Sequence, residues 1–251
     1  MKTKTKTNPA FYADQLRLIL ADEPERLDAA LTDPTSLDLV TWNLFASLDT
    51  HQDPEFLGHR FQPFGGAGVR SPLRISLYSG RRRGPSLRPS QGYVATVRER
   101  AHSVGGEAGA TEAFEAAIEV PVRVESPDVL MLIDTMGKDY PRGVGGRDRI
   151  IELVDAGLEH ARRLSKTLAV ALVYRSGSNA AAEASARMQA LRDPATLAAE
   201  LPHRHGVPPV VLREMPWQQL ARIWEQEVPY LHLEGQPVRA FTELLRERDL
   251  L

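Results

Sequence analysis

The chain contains no cysteine, so disulfides, thiolate metal sites and thiol nucleophiles are all excluded. That usage fits a reduced, cytoplasmic protein. Long hydrophobic runs are missing too. None approaches the roughly 18 residues of a membrane span, so no membrane partner is expected. The opening "MKTKTKTNPAFYAD" is basic but lacks the apolar stretch of a secretory signal, and residues 1–8 read as a short disordered lead. Charge of one sign is not in excess. Lys and Arg number 31 against 33 Asp and Glu, for a formal net charge of −2. That excludes coating nucleic acid by bulk charge and leaves room for a local basic patch. The patterns G-x-x-x-x-G-K-[ST], G-x-G-x-x-G and G-x-S-x-G do not occur, so P-loop, Rossmann and nucleophile-elbow readings lack support. The seven histidines are scattered, and neither His51 with His59 nor His203 with His205 has a third metal ligand beside it in sequence.

What is present is a globular composition. The 251 residues are 42% hydrophobic and 25% charged, which suits one large domain or a domain with an appendage. A chain of this length buries a sizeable core without covalent staples. Residues 9–32 and 37–48 carry apolar residues at helical spacing, with Ser36 or Thr35 as a cap for the second segment. "DPEFLGHRF", 53–61, extends the helical region, with Asp53 capping and Pro54 in first position. "LRISLYSG", 73–80, alternates as a half-buried strand does, and "YVATVRERA", 93–101, is a second strand candidate. Further on, Ile118, Val120, Val122 and Val124 share one face of a strand, and Glu119, Pro121, Arg123 and Glu125 the other. "VLMLI", 129–133, is apolar throughout, as in a strand buried on both faces. "RDRIIELVDAGLEHARRL" is an amphipathic helix, capped by Asp148 or the residues before it, and "LAVALVY", 168–174, is again an apolar strand. Strand, helix, strand is a crossover that sets 129–134 and 168–174 parallel. After Arg175 the pattern turns helical, with Trp217 and Trp224 on one face as core residues. The fold class expected is α/β: a mixed sheet flanked by helices over 9–175, with a helical C-terminal extension over 176–251 packed on or beside it.

The stretch "IEVPVRVESPDVLMLIDTMGKDY", 118–140, reads as a hairpin with Ser126 and Pro127 at its tip. Pairing then sets Glu125 opposite Asp128 and Glu119 opposite Asp134, about 4.5–5.5 Å apart at Cβ. Two carboxylates so placed repel unless a cation binds or one takes a proton. Oxygen ligands of this kind suit Mg²⁺ or Mn²⁺, which can activate water for attack on a phosphodiester. The plainer alternative leaves Glu119 in solvent and Asp134 at a strand end. Pro121 cannot donate to a ladder, so it predicts an edge or a bulge, and a one-residue slip would turn Glu119 to the other face.

A strand with an acid, an "SP" turn, an apolar strand, a further acid, a crossover helix and another strand: this order resembles the PD-(D/E)XK nuclease superfamily over residues 35–175. The resemblance implies a restriction-endonuclease-like mixed sheet and metal-dependent cleavage of nucleic acid. It also implies an acid in the first strand of the hairpin and acid-x-Lys at the end of the second. "LVTWNLFASLD", 39–49, resembles the first helix of such domains, where Asp38 or Asp49 would be an assisting acid. Aligned through the turn, Asp134 takes the place of the second acid. Pro121 stands where the first acid is expected and Met136 where the lysine is expected. A thioether neither donates a proton nor carries charge. Glu119, two residues before Pro121, and Lys138, two beyond Met136, are the available replacements. On that reading Glu119 and Asp134 hold the metal and Lys138 orients or polarises the water.

The segment 79–106 holds six arginines and one acid, Glu99. Arg81, Arg82, Arg83 and Arg88, in a Gly/Pro loop, suit contacts to phosphate; the alternative is a solvated loop. Tyr93 is the only aromatic residue there, which gives base stacking little support. Two readings of function stand open. One is a divergent Mg²⁺- or Mn²⁺-dependent nuclease acting on DNA or RNA. The other is a catalytically inactive relative that binds nucleic acid, or serves as a protein-interaction subunit of a larger assembly or homo-oligomer.

Overall fold

The computed structural model describes residues 8–49, 51–81, 83–103, 115–137, 148–233 and 235–251. In chain order these form α1 (Ala13–Ile19), α2 (Pro24–Thr32), α3 (Leu37–Asp49), α4 (Pro54–Gly65), β1 (Arg74–Ser79), α5 (Gln91–Ser103), β2 (Val120–Glu125) and β3 (Val129–Thr135). Then follow α6 (Arg149–Leu164), β4 (Thr167–Tyr174), α7 (Asn179–Leu191), α8 (Pro194–Glu200), β5 (Val210–Pro216), α9 (Trp217–Glu227) and α10 (Gln236–Glu247). The strands make one mixed sheet in the order β1-β2-β3-β4-β5. β1–β2 and β2–β3 are antiparallel; β3–β4 and β4–β5 are parallel. The protein is thus α/β, a five-stranded mixed sheet between helices, and the crossover through α6 is the one the apolar patterns predict. No helix among the described residues is long and apolar enough to cross a membrane.

Each face of the sheet carries its own core. On one, Val122, Val124, Met131, Ile133, Ala169 and Ala171 pack against α3, α4, α9 and α10. Phe11 stacks on Trp224 at 6.0 Å, and Trp224 meets Phe241 edge-on at 5.0 Å. Burying each such side chain is worth roughly 1.5–3 kcal/mol. On the other face, Leu130, Leu132, Leu168, Val170 and Leu212 pack against α6, α7 and α8. α6 approaches closely because Gly157 faces the sheet: a Cβ there would lie 2.7 Å from Leu168 Cδ1 and 2.9 Å from Leu132 Cδ1. Caps fix the helix starts. Asp53 accepts from the N–H groups of Glu55 and Phe56, and Asp148 from those of Ile150 and Ile151, which satisfies donors the helix itself cannot.

Three local expectations are corrected. Residues 93–101 are helical, within α5. Ser90 Oγ accepts from Tyr93 N at 3.1 Å, and Tyr93, Val94 and Val97 present one side of the helix to the core; the cap and the spacing outweigh the β-branched residues. The region after Arg175 is not helical throughout, since β5 joins the sheet beside β4. The hairpin register also differs. Glu125 pairs with Leu130 and Val122 with Ile133, two residues from the predicted pairing. Ser126 N donates to Val129 O at 2.9 Å and Ser126 Oγ accepts from Val129 N at 3.0 Å, so the turn closes on Val129 rather than Asp128.

Candidate functional site

A two-residue shift leaves side chains on their original faces. Pro121 is what changes them. It has no N–H for the ladder, and the pairing of β1 with β2 passes over it: Leu77 pairs with Val122 and Ser79 with Val120. Between them Tyr78 takes a φ of 51°, a left-handed conformation that is uncommon for a bulky residue. Across this irregularity the faces exchange. Val122 and Val124 pack in the core beside α3, whereas Ile118 and Val120 pack in the core beside α6, so the four do not share one face as their alternation predicts.

Glu119 is carried with them. Its carboxylate lies 2.7 Å from a terminal nitrogen of Arg26, in α2. The same guanidinium is bidentate to Asp38 at the start of α3, with Nε and Nη2 each donating at 2.7 Å. Glu23 adds a longer pair at 3.6 Å. Tyr78 lies beneath, its ring centroid 4.7 Å from the guanidinium carbon and its hydroxyl donating to Asp38 O at 2.7 Å. Burial opposes the charge on Arg26, but Asp38 and then Glu119 more than offset it and hold the guanidinium above its ordinary pKa. Burial, then the Asp38 carboxylate, pushes the Tyr78 hydroxyl well up, so it stays a donor at neutral pH.

Asp134 goes the other way. It is buried on the α6 side, where Arg149 Nε donates to it at 3.0 Å. Arg149 also donates to Glu152 at 3.2 Å and to the carbonyl oxygen of Glu119. Burial opposes the Arg149 charge; Asp134 and Glu152 outweigh it and raise its pKa. The predicted pair is therefore not a facing pair. Glu119 meets Asp38, Asp134 meets Glu152, and an arginine lies within each group.

Met136 is a core residue: its side chain packs with α6 and its carbonyl accepts from Trp217 Nε1 at 3.1 Å. That location explains a thioether in place of an ammonium. Lys138 and Arg82 lie outside the described residues. Arg81, Arg83 and Arg88 are all exposed. Arg83 donates to Leu18 O, and Arg88 donates to Ser86 Oγ and Glu115 O, each at 3.2 Å.

One constellation had no counterpart in the motifs. Asp155 of α6, fully buried, accepts from Ser90 N at 2.6 Å, Ser90 Oγ at 3.0 Å and Arg204 at 2.6 and 2.9 Å, with His203 Nε2 at 2.9 Å. Serine, aspartate and histidine meet here, yet Ser90 donates to Asp155 and not to the imidazole. A nucleophile needs its base in that position, so the group is a hub tying α5 and the 203–204 turn to α6. The signal available in sequence was an aspartate within the apolar stripe of "IIELVDAGL".

Mg²⁺ and Mn²⁺ fit these residues poorly. Among the described residues no group of three or more His, Asp or Glu is arranged to hold a metal ion, and an ion between Asp38 and Glu119 would have to displace Arg26. What the arrangement does is hold carboxylates together beside β2, with a guanidinium bridging two on one face and another guanidinium bridging two on the opposite face. Comparison with known proteins adds no relative: no protein-family model, no curated protein and no solved structure matches the chain.

Proposed function

We propose that the chain is a non-catalytic protein of the PD-(D/E)XK-like fold that binds the phosphate backbone of nucleic acid. The observation that carries this reading is Arg26, whose guanidinium lies between Asp38 and Glu119. A guanidinium bridges the two carboxylates where a metal ion would lie, offsetting one of their two charges, but it offers no coordination site for water and does not generate hydroxide at neutral pH. Arg149 neutralises Asp134 in the same way. Binding needs neither carboxylate. The exposed Arg81, Arg83 and Arg88 supply donors that suit phosphate oxygens, in a loop whose glycine and prolines allow close approach. With a formal charge of −2 for the whole chain, binding would be confined to this edge rather than spread over the surface.

The second reading, an Mg²⁺- or Mn²⁺-dependent nuclease, is favoured by one fact: Asp38 and Glu119, from separate elements, converge on one cation. A single assay separates the two. Plasmid, single-stranded DNA and RNA are incubated with each metal and wild-type protein, beside Asp134→Ala. Binding is followed in parallel against salt. The non-catalytic reading expects no metal-dependent cleavage. It also expects the salt dependence of binding to become shallower when Arg81, Arg83 or Arg88 is replaced with Ala. The slope of log K against log salt should fall by about 0.7–0.9 for each phosphate no longer neutralised. Metal-dependent cleavage abolished by Asp134→Ala would overturn it in favour of the nuclease.

A further inference from the structure

A cavity of about 230 Å³ opens beside β1, the edge strand, between α1, α3 and the turn at residues 80–84. Its walls include Trp42, Ile75 and Leu77. Ser79 is 1% exposed and its hydroxyl has no hydrogen-bond partner among the described residues. Such a buried group ordinarily finds one. Gly84, at φ 66°, leaves the space over that hydroxyl open; a Cβ there would lie 2.8 Å from Ser79 Oγ.

Asp49 supplies a carboxylate at the last residue of α3, where the helix dipole disfavours negative charge. It is exposed to solvent at the cavity and forms no ion pair with a described residue, while partial burial raises its pKa. Arg83, also exposed, lines the cavity and among the described residues its side chain donates to a carbonyl, that of Leu18. One acid and one base thus share a cavity without meeting each other. The volume lies below the roughly 300–1,000 Å³ that takes drug-sized ligands, so the occupant is small.

We propose that this cavity binds the zwitterion of a free α-amino acid, its ammonium on Asp49, its carboxylate on Arg83, its polar head within reach of Ser79 Oγ and its side chain against Trp42 and Leu77. Arg83 is shared with the loop proposed to contact phosphate, so an amino acid and a nucleic acid would compete for it, but amino-acid binding does not rest on that reading. A lone amine would leave Arg83 unmatched and a lone carboxylate would be repelled by Asp49, whereas a small molecule bearing both charges matches the pair, and an α-amino acid is the smallest such molecule with a side chain for the apolar wall.

The test is thermal unfolding of the full chain with each standard amino acid at about 10 mM, where a ligand that binds the native state alone raises Tm. One or more amino acids should raise Tm. The methyl ester and the N-acetyl derivative of each hit, which lack one of the two charges, should bind at least about tenfold more weakly by calorimetry, a difference of about 1.4 kcal/mol. Asp49→Asn should abolish the shift and Ser79→Ala should weaken it. Should Asp49→Asn fold poorly, Arg83→Gln provides the same test from the other end of the ligand. The proposal is overturned if no amino acid shifts Tm, if an ester or N-acetyl form binds as well as its parent, or if both charge variants bind normally.

Discussion

Glu119 and Asp134 leave the β2–β3 hairpin toward opposite helical layers, one to Arg26 beside α3 and the other to Arg149 of α6. Their separation follows from the exchange of faces at Pro121 and Tyr78 rather than from the turn. The carboxylate that does meet Glu119 is Asp38, and the cation between them is part of the chain.

Removing that cation should expose the repulsion it suppresses. Arg26→Met leaves Asp38 and Glu119 facing each other, and unfolding in urea should show a loss of about 2 kcal/mol, below the 3–5 of a fully buried pair because these side chains keep some exposure to solvent. Adding Glu119→Gln should return part of it. Mn²⁺ should raise the Tm of Arg26→Met and leave the wild type unchanged.

His160 sets an acid limit to stability. Arg123 lies 2.8 Å from its Nε2, and burial, then the Arg123 charge, lowers its pKa; Arg163 and Lys166 act in the same direction and Glu125 against it. The unfolded chain takes up a proton near the ordinary value of about 6.5 and the folded chain does so only at lower pH. Stability is therefore full above that value and declines as pH falls through the folded pKa. Denaturation between pH 7 and 5 should show a shallower decline for His160→Asn than for the wild type.

Asp155 should be among the costliest positions to change. Asp155→Ala strips Arg204, His203 and both donors of Ser90 of their shared acceptor in a fully buried place. The expected loss is about 3–5 kcal/mol, read as a lower urea midpoint with an unchanged slope.

Two glycines in helices should respond with opposite signs. Gly157→Ala drives a methyl into Leu132 and Leu168 and should cost about 1–3 kcal/mol. Gly58→Ala, in α4, meets nothing within 4 Å and should stabilise by roughly 0.5–1 kcal/mol. Chemical denaturation of both variants decides this.

Much of the fold was legible in the sequence because it rests on patterns of a few residues. β3 and β4 were readable as unbroken apolar runs, α6 as a stripe with an aspartate cap, and Trp217 and Trp224 as a buried helical face. β5 was missed because "VVLREMP" is interrupted by charged residues, only partly buried and followed at once by a helix. The candidate site was less legible. Pro121 marked an irregularity, but that Glu119 would turn toward α2 depends on Tyr78, a residue on the neighbouring strand whose φ no local pattern announces. Arg26 shows nothing in sequence of the two carboxylates it joins, since one is in the next helix and the other lies beyond β1 and α5. Asp155 gathers partners from Ser90 and from His203 and Arg204, and only the folded chain brings them together.

The packing of Phe11 on Trp224 and Phe241 has a bearing on how the protein is made. The layer around α6 draws its strands and helices from the middle of the chain and can assemble as they emerge. The opposite layer joins Phe11 to α9 and α10, which leave the ribosome after the other elements of this fold. Until then α3 and α4 cover the sheet but Phe11 lacks its partners from α9 and α10, and such nonlocal closure is slow. The apolar side of a half-synthesised molecule is therefore where a chaperone would be needed, and α10 is the element whose arrival ends that need.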